Sequence, residues 1–293
     1  MVDPQPLHIP VLPAEVVEHL SLGPGDIVVD GTLGGGGHAR LLAEQVGPEG
    51  RVIALDRDPA AVEAAEVRLA GLPVEPFVAN YCDLPEVLAD LGVPSVRGIV
   101  LDLGLSSDQL ADRDRGFSFD SDGPLDLRFN PLKGEPASKL VERLSAEHLA
   151  DLIYHYGEER YSRRIARKLV ELRRRDPIRT SSQLAQIVRR CVPRSRHERI
   201  DPATRTFQAL RIAVNDELKS LEIALRRLPD CLAVGGRLAI ISFHSLEDRP
   251  VKVAFRGDSR LRNLTKKPIR PTDEEVVDNP RARSAKLRVA ERV

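Results

Sequence analysis

The residues best suited to chemistry form a glycine-rich stretch, residues 30–38, which the hydropathy pattern places between a strand and a helix. Glycines let the backbone turn tightly and approach a ligand without Cβ interference, and the following helix presents unpaired N–H donors at its first turn. Asp56 ends the next predicted strand, where a carboxylate can accept hydrogen bonds from both hydroxyls of a ribose. The combination indicates a nucleoside-containing cofactor at the carboxyl ends of the strands in an open α/β sheet.

The same loop is compatible with two cofactors. Gly34, Gly36 and Ala39 have the spacing of the dinucleotide-binding fingerprint, with Asp56 close to the expected ~20 residues further on, which allows an NAD-dependent enzyme. Asp30 directly precedes the loop, where a carboxylate suits the charged methionine end of S-adenosylmethionine and repels a diphosphate. No Tyr-x-x-x-Lys pair for hydride transfer is present. We therefore favour S-adenosylmethionine, and Asp102, at the end of the fourth predicted strand, adds negative charge to the same crevice.

The elements that position these residues are strands alternating with helices, a pattern that predicts a parallel sheet covered on both faces. Residues 104–135 are irregular, and consecutive helices follow without a strand signal, which indicates a helical insertion. The α/β pattern then resumes with a long helix, the turn Gly235–Gly236 and a strand. The predicted helices are 13–20, 38–46, 59–69, 138–144, 146–156, 161–174, 181–192 and 206–227, and the predicted strands 27–29, 51–55, 74–79, 98–103 and 237–243.

Seven stretches of the chain resemble the bacterial RsmH (MraW) methyltransferases and follow one another in the order of that family. The stretch 30–38 resembles the family's cofactor loop. The remaining stretches are residues 101–110, 115–119, 122–128, 202–211, 241–249 and 279–284.

This resemblance implies a Rossmann-like class I S-adenosylmethionine-dependent methyltransferase fold with an inserted all-α domain. We expect the chain to divide into three parts. The first part of the methyltransferase domain comprises residues 1–105, the irregular segment and helical insertion 106–204, and the second part of the methyltransferase domain with a basic tail 205–293. The implied activity is N4-methylation of a cytidine in small-subunit (16S) ribosomal RNA at the decoding centre, with the 30S subunit as partner.

The resemblance also implies donor contacts for six residues, namely Gly36, Gly37, His38, Asp56, Asp102 and Gln109. The predicted cofactor-binding residues also include Asp30, Gly34, Gly35 and Tyr81. Tyr81 stands where family members often have Phe. Two departures concern the RNA side: Asp201 stands where the family pattern has His, and the stretch after Asp248–Arg249 is short.

The chemistry requires a group that accepts hydrogen bonds from the amine, because the N4 lone pair of cytosine is delocalised into the ring and the amine is a poor nucleophile. Asp102 is the first candidate. The usual Asp/Asn-Pro-Pro-aromatic signature is absent, so Ser106, Asp126 and His244 are further catalytic candidates, each with pocket shaping as the alternative role. Cys82 lacks a Pro-Cys context, which argues against carbon methylation, and the histidines show no metal-ligand spacing, so no metal is expected.

Charge is unevenly distributed along a chain of zero formal net charge. Residues 1–130 carry 22 acidic and 8 basic side chains, whereas 157–199 carry 14 basic and 5 acidic and 249–293 carry 13 basic and 6 acidic. This separation suits a protein that binds a polyanion with specific surfaces. The predicted RNA-binding face comprises Arg163, Arg164, Arg167 and Lys168, followed by Arg189, Arg190, Arg194, Arg196 and Arg199; a merely solvated face is the alternative.

Composition indicates a soluble cytoplasmic protein. Hydrophobic residues make up 42% and charged residues 30%, and no apolar run approaches the roughly 18–20 residues of a membrane helix. The three cysteines lie far apart in sequence and are expected as reduced core thiols. A non-catalytic RNA-binding or ribosome-assembly factor with the same fold remains an alternative to the enzyme.

Overall fold

The computed structural model describes residues 9–119, 122–193 and 201–293. The chain divides into two compact units, one of Met1–Ser107 with Leu218–Val293, here the sheet unit, and one of Asp108–Glu217, here the helical unit. The helical unit is thus inserted into the sequence of the sheet unit.

The sheet unit contains a seven-stranded sheet in the order β3-β2-β1-β4-β5-β7-β6. The first five strands are parallel, and β7 runs antiparallel to both of its neighbours. The strands are β1 (Ile27–Asp30), β2 (Arg51–Asp56), β3 (Val74–Val78), β4 (Val96–Asp102), β5 (Leu232–Ser242), β6 (Leu261–Asn263) and β7 (Lys286–Arg292).

Helices cover the sheet and build the insertion. They are α1 (Pro13–Leu20), α2 (Gly37–Val46), α3 (Pro59–Arg68), α4 (Leu84–Asp90), α5 (Ser107–Ala111), α6 (Ala137–Arg143), α7 (Ala146–Gly157), α8 (Ser162–Arg173), α9 (Ser181–Cys191), α10 (Thr204–Asn215), α11 (Glu217–Cys231), α12 (Ser245–Gly257) and α13 (Asp273–Asp278).

Strand residues alternate between two apolar layers, one on each face of the sheet. Val29 and Ile53 point into the layer that contains residues of α11 and α12, whereas Val28 and Val52 point into the layer that contains residues of α1, α2 and α3. Parallel strands buried on both faces are apolar at nearly every position, which explains why β1, β2 and β4 read as continuous hydrophobic runs that end in a carboxylate.

The helical unit has no strand among its described residues and packs α7 against α8 and α10. The amphipathic spacing of α8 and α9 places Ile165 and Leu169, and Leu184 and Val188, in the interior. Thr180 begins α9 with a capping box, accepting a hydrogen bond from the backbone N–H of residue 183. The predicted Rossmann-like α/β fold with an all-α insertion is confirmed.

The predicted helix 206–227 is wrong, because the chain breaks into α10 and α11 at Asp216, whose φ is 51°. Asn215 stabilises the break: its side-chain amide donates hydrogen bonds to the backbone oxygens of Leu127, at 2.7 Å, and Arg211, at 2.9 Å. Since α10 packs on α7 and α6, it belongs to the helical unit, whereas the division predicted at 204/205 assigned it to the methyltransferase domain.

The glycine pair Gly235–Gly236 lies within β5 instead of preceding it. Val96 pairs with Leu232 and Gly98 with Arg237, so the register between β4 and β5 shifts across this pair. Gly235 has a φ of 76°, which explains why a glycine is suited to this bulge.

Candidate methyl-donor site

Three aspartates end neighbouring strands of the sheet. Asp30 ends β1, Asp56 ends β2 and Asp102 ends β4, and β1 lies between the other two. Since the carboxyl ends of parallel strands share one edge, the three carboxylates line the same crevice beside the loop that follows β1.

Asp30 is fully buried, and only one of its two carboxylate oxygens has a hydrogen-bond partner in the described structure. Its Oδ1 accepts a hydrogen bond from the backbone N–H of Thr32 at 3.0 Å, and its Oδ2 has no hydrogen-bond partner in the described structure. Burial raises the pKa of Asp30 to about 6, although nearby His38 and the Thr32 N–H favour the charged form.

Asp102 faces the same crevice from the next strand. Its backbone N–H donates to Oγ1 of Thr32 at 2.6 Å, and its Oδ1 is buried without a hydrogen-bond partner in the described structure. Burial raises the pKa of Asp102 to about 7; the positive charge of Arg281 opposes the rise and the negative charge of Glu247 adds to it. The group is therefore balanced between its acid and its carboxylate near neutral pH.

Asp56 holds the glycine loop against β2. Its Oδ2 accepts from the backbone N–H of Gly34 at 2.8 Å and its Oδ1 from that of Asp58 at 2.9 Å. Burial raises the pKa of Asp56 as well. Each carboxylate oxygen can accept a second hydrogen bond, so both oxygens retain capacity for the two hydroxyls of a ribose.

The loop conformation requires glycine at two of the predicted cofactor positions. Gly34 and Gly36 have φ values of 48° and 82°, and a Cβ on Gly34 would lie 3.2 Å from Cβ of Ser106. Gly35 completes the turn and Gly37 begins α2. The loop therefore presents its backbone to the crevice without side chains.

His38 is buried in the first turn of α2. Its Nε2 lies 3.0 Å from the backbone oxygen of Val11, and its Nδ1 lies 3.8 Å from Oδ2 of Asp102. A carbonyl partner makes Nε2 the protonated nitrogen of the neutral ring, and burial lowers the pKa of His38. The structure thus brings His38 to the carboxylates, with its Nδ1 facing Asp102.

Tyr81 and Ser106 also lie in the sheet unit beside the loop. A Cβ on Gly31 would lie 3.1 Å from Cβ of Tyr81, so this tyrosine packs at the start of the glycine stretch. The Cβ of Ser106 lies 3.2 Å from the position that a Cβ on Gly34 would take. The predicted catalytic residue His244 begins α12 at the end of β5, and its Nε2 lies 3.1 Å from Oε1 of buried Glu247.

Asp126 and Gln109 belong to the helical unit. Both carboxylate oxygens of Asp126 accept from Arg128, at 2.7 Å from Nε and 2.6 Å from Nη2. A carboxylate held in this bidentate pair has a structural task, which argues against a catalytic one. Gln109 is buried in α5, and its donor contact stays a prediction.

The predicted RNA-binding residues Arg163, Arg164, Arg167 and Lys168 lie on α8; the three arginines are exposed and Lys168 is half-buried. Arg189 pairs with Asp201, Nη2 to Oδ2 at 2.7 Å; the residue that departs from the family pattern thus has an ion-pair partner. Arg194, Arg196 and Arg199 lie outside the described residues.

A C-terminal segment whose contacts were not predicted from the sequence supports the site. This strap, residues 272–284, contains α13 and the turn that follows it. Glu275 accepts from the backbone N–H of Leu12 at 2.7 Å, and Asn279 donates to the backbone oxygen of Ile9 at 3.1 Å. Arg281 donates to Oγ of Ser107 at 2.8 Å and to the backbone oxygen of Leu105. The strap thereby connects the N-terminal segment that contacts His38 with the loop that follows Asp102.

S-adenosylmethionine fits these residues. A buried carboxylate oxygen without a partner is costly, and the positive sulfonium and ammonium groups of this molecule would compensate Asp30 and Asp102. A diphosphate would be repelled by the same pair, which argues against NAD. Within the described residues, no three His, Cys, Asp or Glu side chains cluster as a metal site requires.

The parallel sheet, the glycine loop after β1 and the carboxylates at the ends of β1, β2 and β4 define an S-adenosylmethionine-dependent methyltransferase. The chain belongs to the MraW methylase family, whose profile matches residues 5–293. The predicted family and cofactor are thus confirmed.

Relatives at about half identity cover nearly the whole chain. Proteins named ribosomal RNA small subunit methyltransferase H from Rhodopirellula baltica and Geobacter sulfurreducens are 54% and 51% identical to it. The first alignment covers 98% of this chain and 91% of the relative, the second 98% and 99%. The solved structure of an rRNA methylase from Streptococcus thermophilus has a TM-score of 0.45 at 14% identity, over 95% of this chain and 92% of that one, a distant likeness without functional information.

Within the described residues no helix is both long and apolar enough to cross a membrane. Cys82, Cys191 and Cys231 are buried free thiols, as predicted. The aromatic residues of the irregular segment pack internally, Phe117 on Phe129 with ring centroids 5.9 Å apart.

Proposed function

We propose that this protein transfers a methyl group from S-adenosylmethionine to the exocyclic N4 of a cytidine at the decoding centre of small-subunit ribosomal RNA. The observation that carries the proposal is the buried, unpartnered Oδ1 of Asp102 beside the glycine loop, in a chain about half identical to proteins named for ribosomal RNA methylation. The substrate is the RNA within the 30S subunit, and the enzyme acts in the cytoplasm.

When bound, S-adenosylmethionine supplies an electrophilic methyl group. Asp56 would hold the ribose through its remaining acceptor capacity, and the backbone of Gly34–Gly37 would approach the methionine part closely. Asp30 would compensate its positive charge from beneath the loop. These roles leave Oδ1 of Asp102 as the acceptor on the substrate side of the crevice.

Asp102 would accept an N–H of the cytosine amine and so align its lone pair with the methyl group. The carboxylate form is needed for this; burial raises the pKa of Asp102 to about 7 in the donor-free protein, and the positive charge of a bound donor would favour the carboxylate. Ser106 and the pair His244–Glu247 lie at neighbouring strand ends and would orient the base. A target base in folded RNA must be turned out to reach such a crevice.

The first test of the proposal is the identity of the product. We expect N4-methylcytidine when small ribosomal subunits that lack the modification are incubated with labelled S-adenosylmethionine and digested to nucleosides for mass spectrometry. Cys82→Ala should methylate at the rate of the parent, because burial and the neighbouring Asp83 raise the thiol pKa to about 11 and leave it un-ionised. Detection of 5-methylcytidine would reject the mechanism, and RNA binding without methyl transfer would favour an assembly factor.

The second test concerns the ribose contact. Asp56→Ala should weaken S-adenosylmethionine binding in calorimetry by about 1.5–3 kcal/mol, the scale for hydrogen bonds to a charged group. Asp58→Ala is the matched control, because that side chain caps α3 through the N–H of Ala60 at 3.2 Å and should cost stability, about 1 kcal/mol, without changing donor affinity. An unchanged affinity in folded Asp56→Ala would remove the ribose role.

A further inference from the structure

A groove of about 680 Å³ runs between α8 and α9 on the helical unit. It has cationic walls and an apolar floor. The residues that line it are Arg164, Arg167, Lys168, Glu171, Leu172, Ile187, Arg190 and Cys191. None of them takes part in the donor site.

The cations of the groove are only partly neutralised. Lys168 pairs with Glu171, Nζ to Oε1 at 2.9 Å, and Glu171 is the one acid among the described lining residues. Arg164, on α8, and Arg190, on α9, have no acidic partner among the described residues. Arg189 differs from its neighbour Arg190 in being held by Asp201 at 2.7 Å. Two guanidinium groups on different helices are thus available to one anionic ligand.

The floor distinguishes the kinds of polyanion that the groove could accept. Leu172, Ile187 and Cys191 give it apolar surface, which a ribose or an unpaired base can cover. An RNA duplex contacts proteins through phosphates and 2′-hydroxyls and keeps its bases stacked inside, so it would leave this floor bare. Single strands expose bases that lie on apolar side chains or guanidinium planes while their phosphates pair with Arg.

We propose that the α8–α9 groove binds a single-stranded segment of the RNA substrate, with its phosphates on Arg164 and Arg190 and a ribose or base on Leu172 and Ile187. This inference rests on the proposed function, since it assumes an RNA substrate. It makes the groove an anchoring site apart from the base that is methylated, and it brings predicted RNA-binding residues of α8 and α9 together in one site.

The test compares charge changes inside and outside the groove. Arg164→Gln/Arg190→Gln should weaken binding of a fluorescent eight-nucleotide single-stranded RNA at least tenfold and reduce the salt slope by about 1.4, or ~0.7 for each lost phosphate contact. Arg174→Gln/Arg175→Gln, two exposed cations that do not line the groove, should change affinity less than twofold. Glu171→Gln should tighten binding two- to fivefold, because it removes the acid that neutralises Lys168.

Equal losses in the two double variants would overturn the proposal, as would equal binding of a blunt RNA duplex or of a polyglutamate peptide of matched charge. Methylation of small subunits by the parent protein is measured in parallel. Absence of methyl transfer would refute the proposed function, whereas methylation by the parent with unaltered RNA binding by Arg164→Gln/Arg190→Gln would refute the groove alone.

Discussion

Asp102→Asn is expected to slow methyl transfer by about 10²–10³-fold, the effect of removing one preorganised group that acts on the transition state. The same change should make the donor-free protein more stable. Asparagine keeps the shape of the side chain but carries no charge, so it removes both the strong hydrogen-bond acceptor and the cost of a buried carboxylate.

The pH dependence of this stability gain follows from the raised pKa of Asp102, about 7 against 3.8 for an ordinary aspartate. The folded protein binds a proton that the unfolded chain has lost, so the parent loses stability as pH rises from about 4 to about 7. The advantage of Asp102→Asn should be absent below pH 4, grow across this window and reach roughly 2–4 kcal/mol above it.

Thermal unfolding of parent and variant at pH 5 and pH 8 without donor measures this effect. Asp90→Asn, an exposed aspartate at the end of α4, is the control and should leave both activity and melting temperature unchanged. The prediction fails if Asp102→Asn loses activity but its stability advantage over the parent is no larger at pH 8 than at pH 5. Burial would then cost the Asp102 carboxylate little.

Gly116→Ala is expected to destabilise the helical unit by about 3–5 kcal/mol. Gly116 has a φ of 72°, and a Cβ there would overlap the backbone oxygen of Pro124 and lie 2.9 Å from Oγ of Ser181. That hydroxyl donates to the backbone oxygen of Gly116 at 2.7 Å, so the clash would also break the hydrogen bond that holds the irregular segment on α9. Backbone strain and steric overlap thus add.

Gly134→Ala separates these two causes. Its φ is also 72°, but a Cβ there would meet nothing within 4 Å, so it should cost only the left-handed strain, about 1 kcal/mol. Hydrogen exchange of residues 108–217 reports the local loss that a single melting temperature of a two-unit protein would blur. Equal protection in the two variants would mean that the segment relaxes around an added methyl group and is not fixed by Ser181.

The elements that could be predicted from the sequence are those with a local signal. The predicted helix 13–20 coincides with α1, and each predicted helix between 138 and 192 corresponds to one from α6 to α9. The break at Asp216 escaped detection, because the apolar period continues across it and the break is held by contacts of Asn215 with Leu127, 88 residues away. No element was predicted at α4, α5, α12, α13, β6 or β7.

The residues of the donor site likewise fall into two groups, those that the sequence predicts and those that it does not. Asp30, Asp56 and Asp102 were found because each ends a predicted strand, and parallel strands bring their ends together whatever the details of the fold. Arg281 lies in a stretch that resembles the family, but its contact with the site was not predicted, since its partner Ser107 is 174 residues away and a local motif does not indicate such a contact. Asp126 was selected by its motif alone, and its pairing with Arg128 depends on side-chain geometry that spacing does not contain.

The strap sets the moment in protein synthesis at which the donor site is complete. A nascent chain carries the glycine loop and all three carboxylates once residue 102 has been added, but Glu275, Asn279 and Arg281 are added only after the whole helical unit. β7 follows them and inserts between β5 and β6 rather than at an edge of the sheet. A chain released before residue 272 therefore has the donor-site carboxylates but lacks the strap that connects the N-terminal segment beside His38 with the loop that follows Asp102.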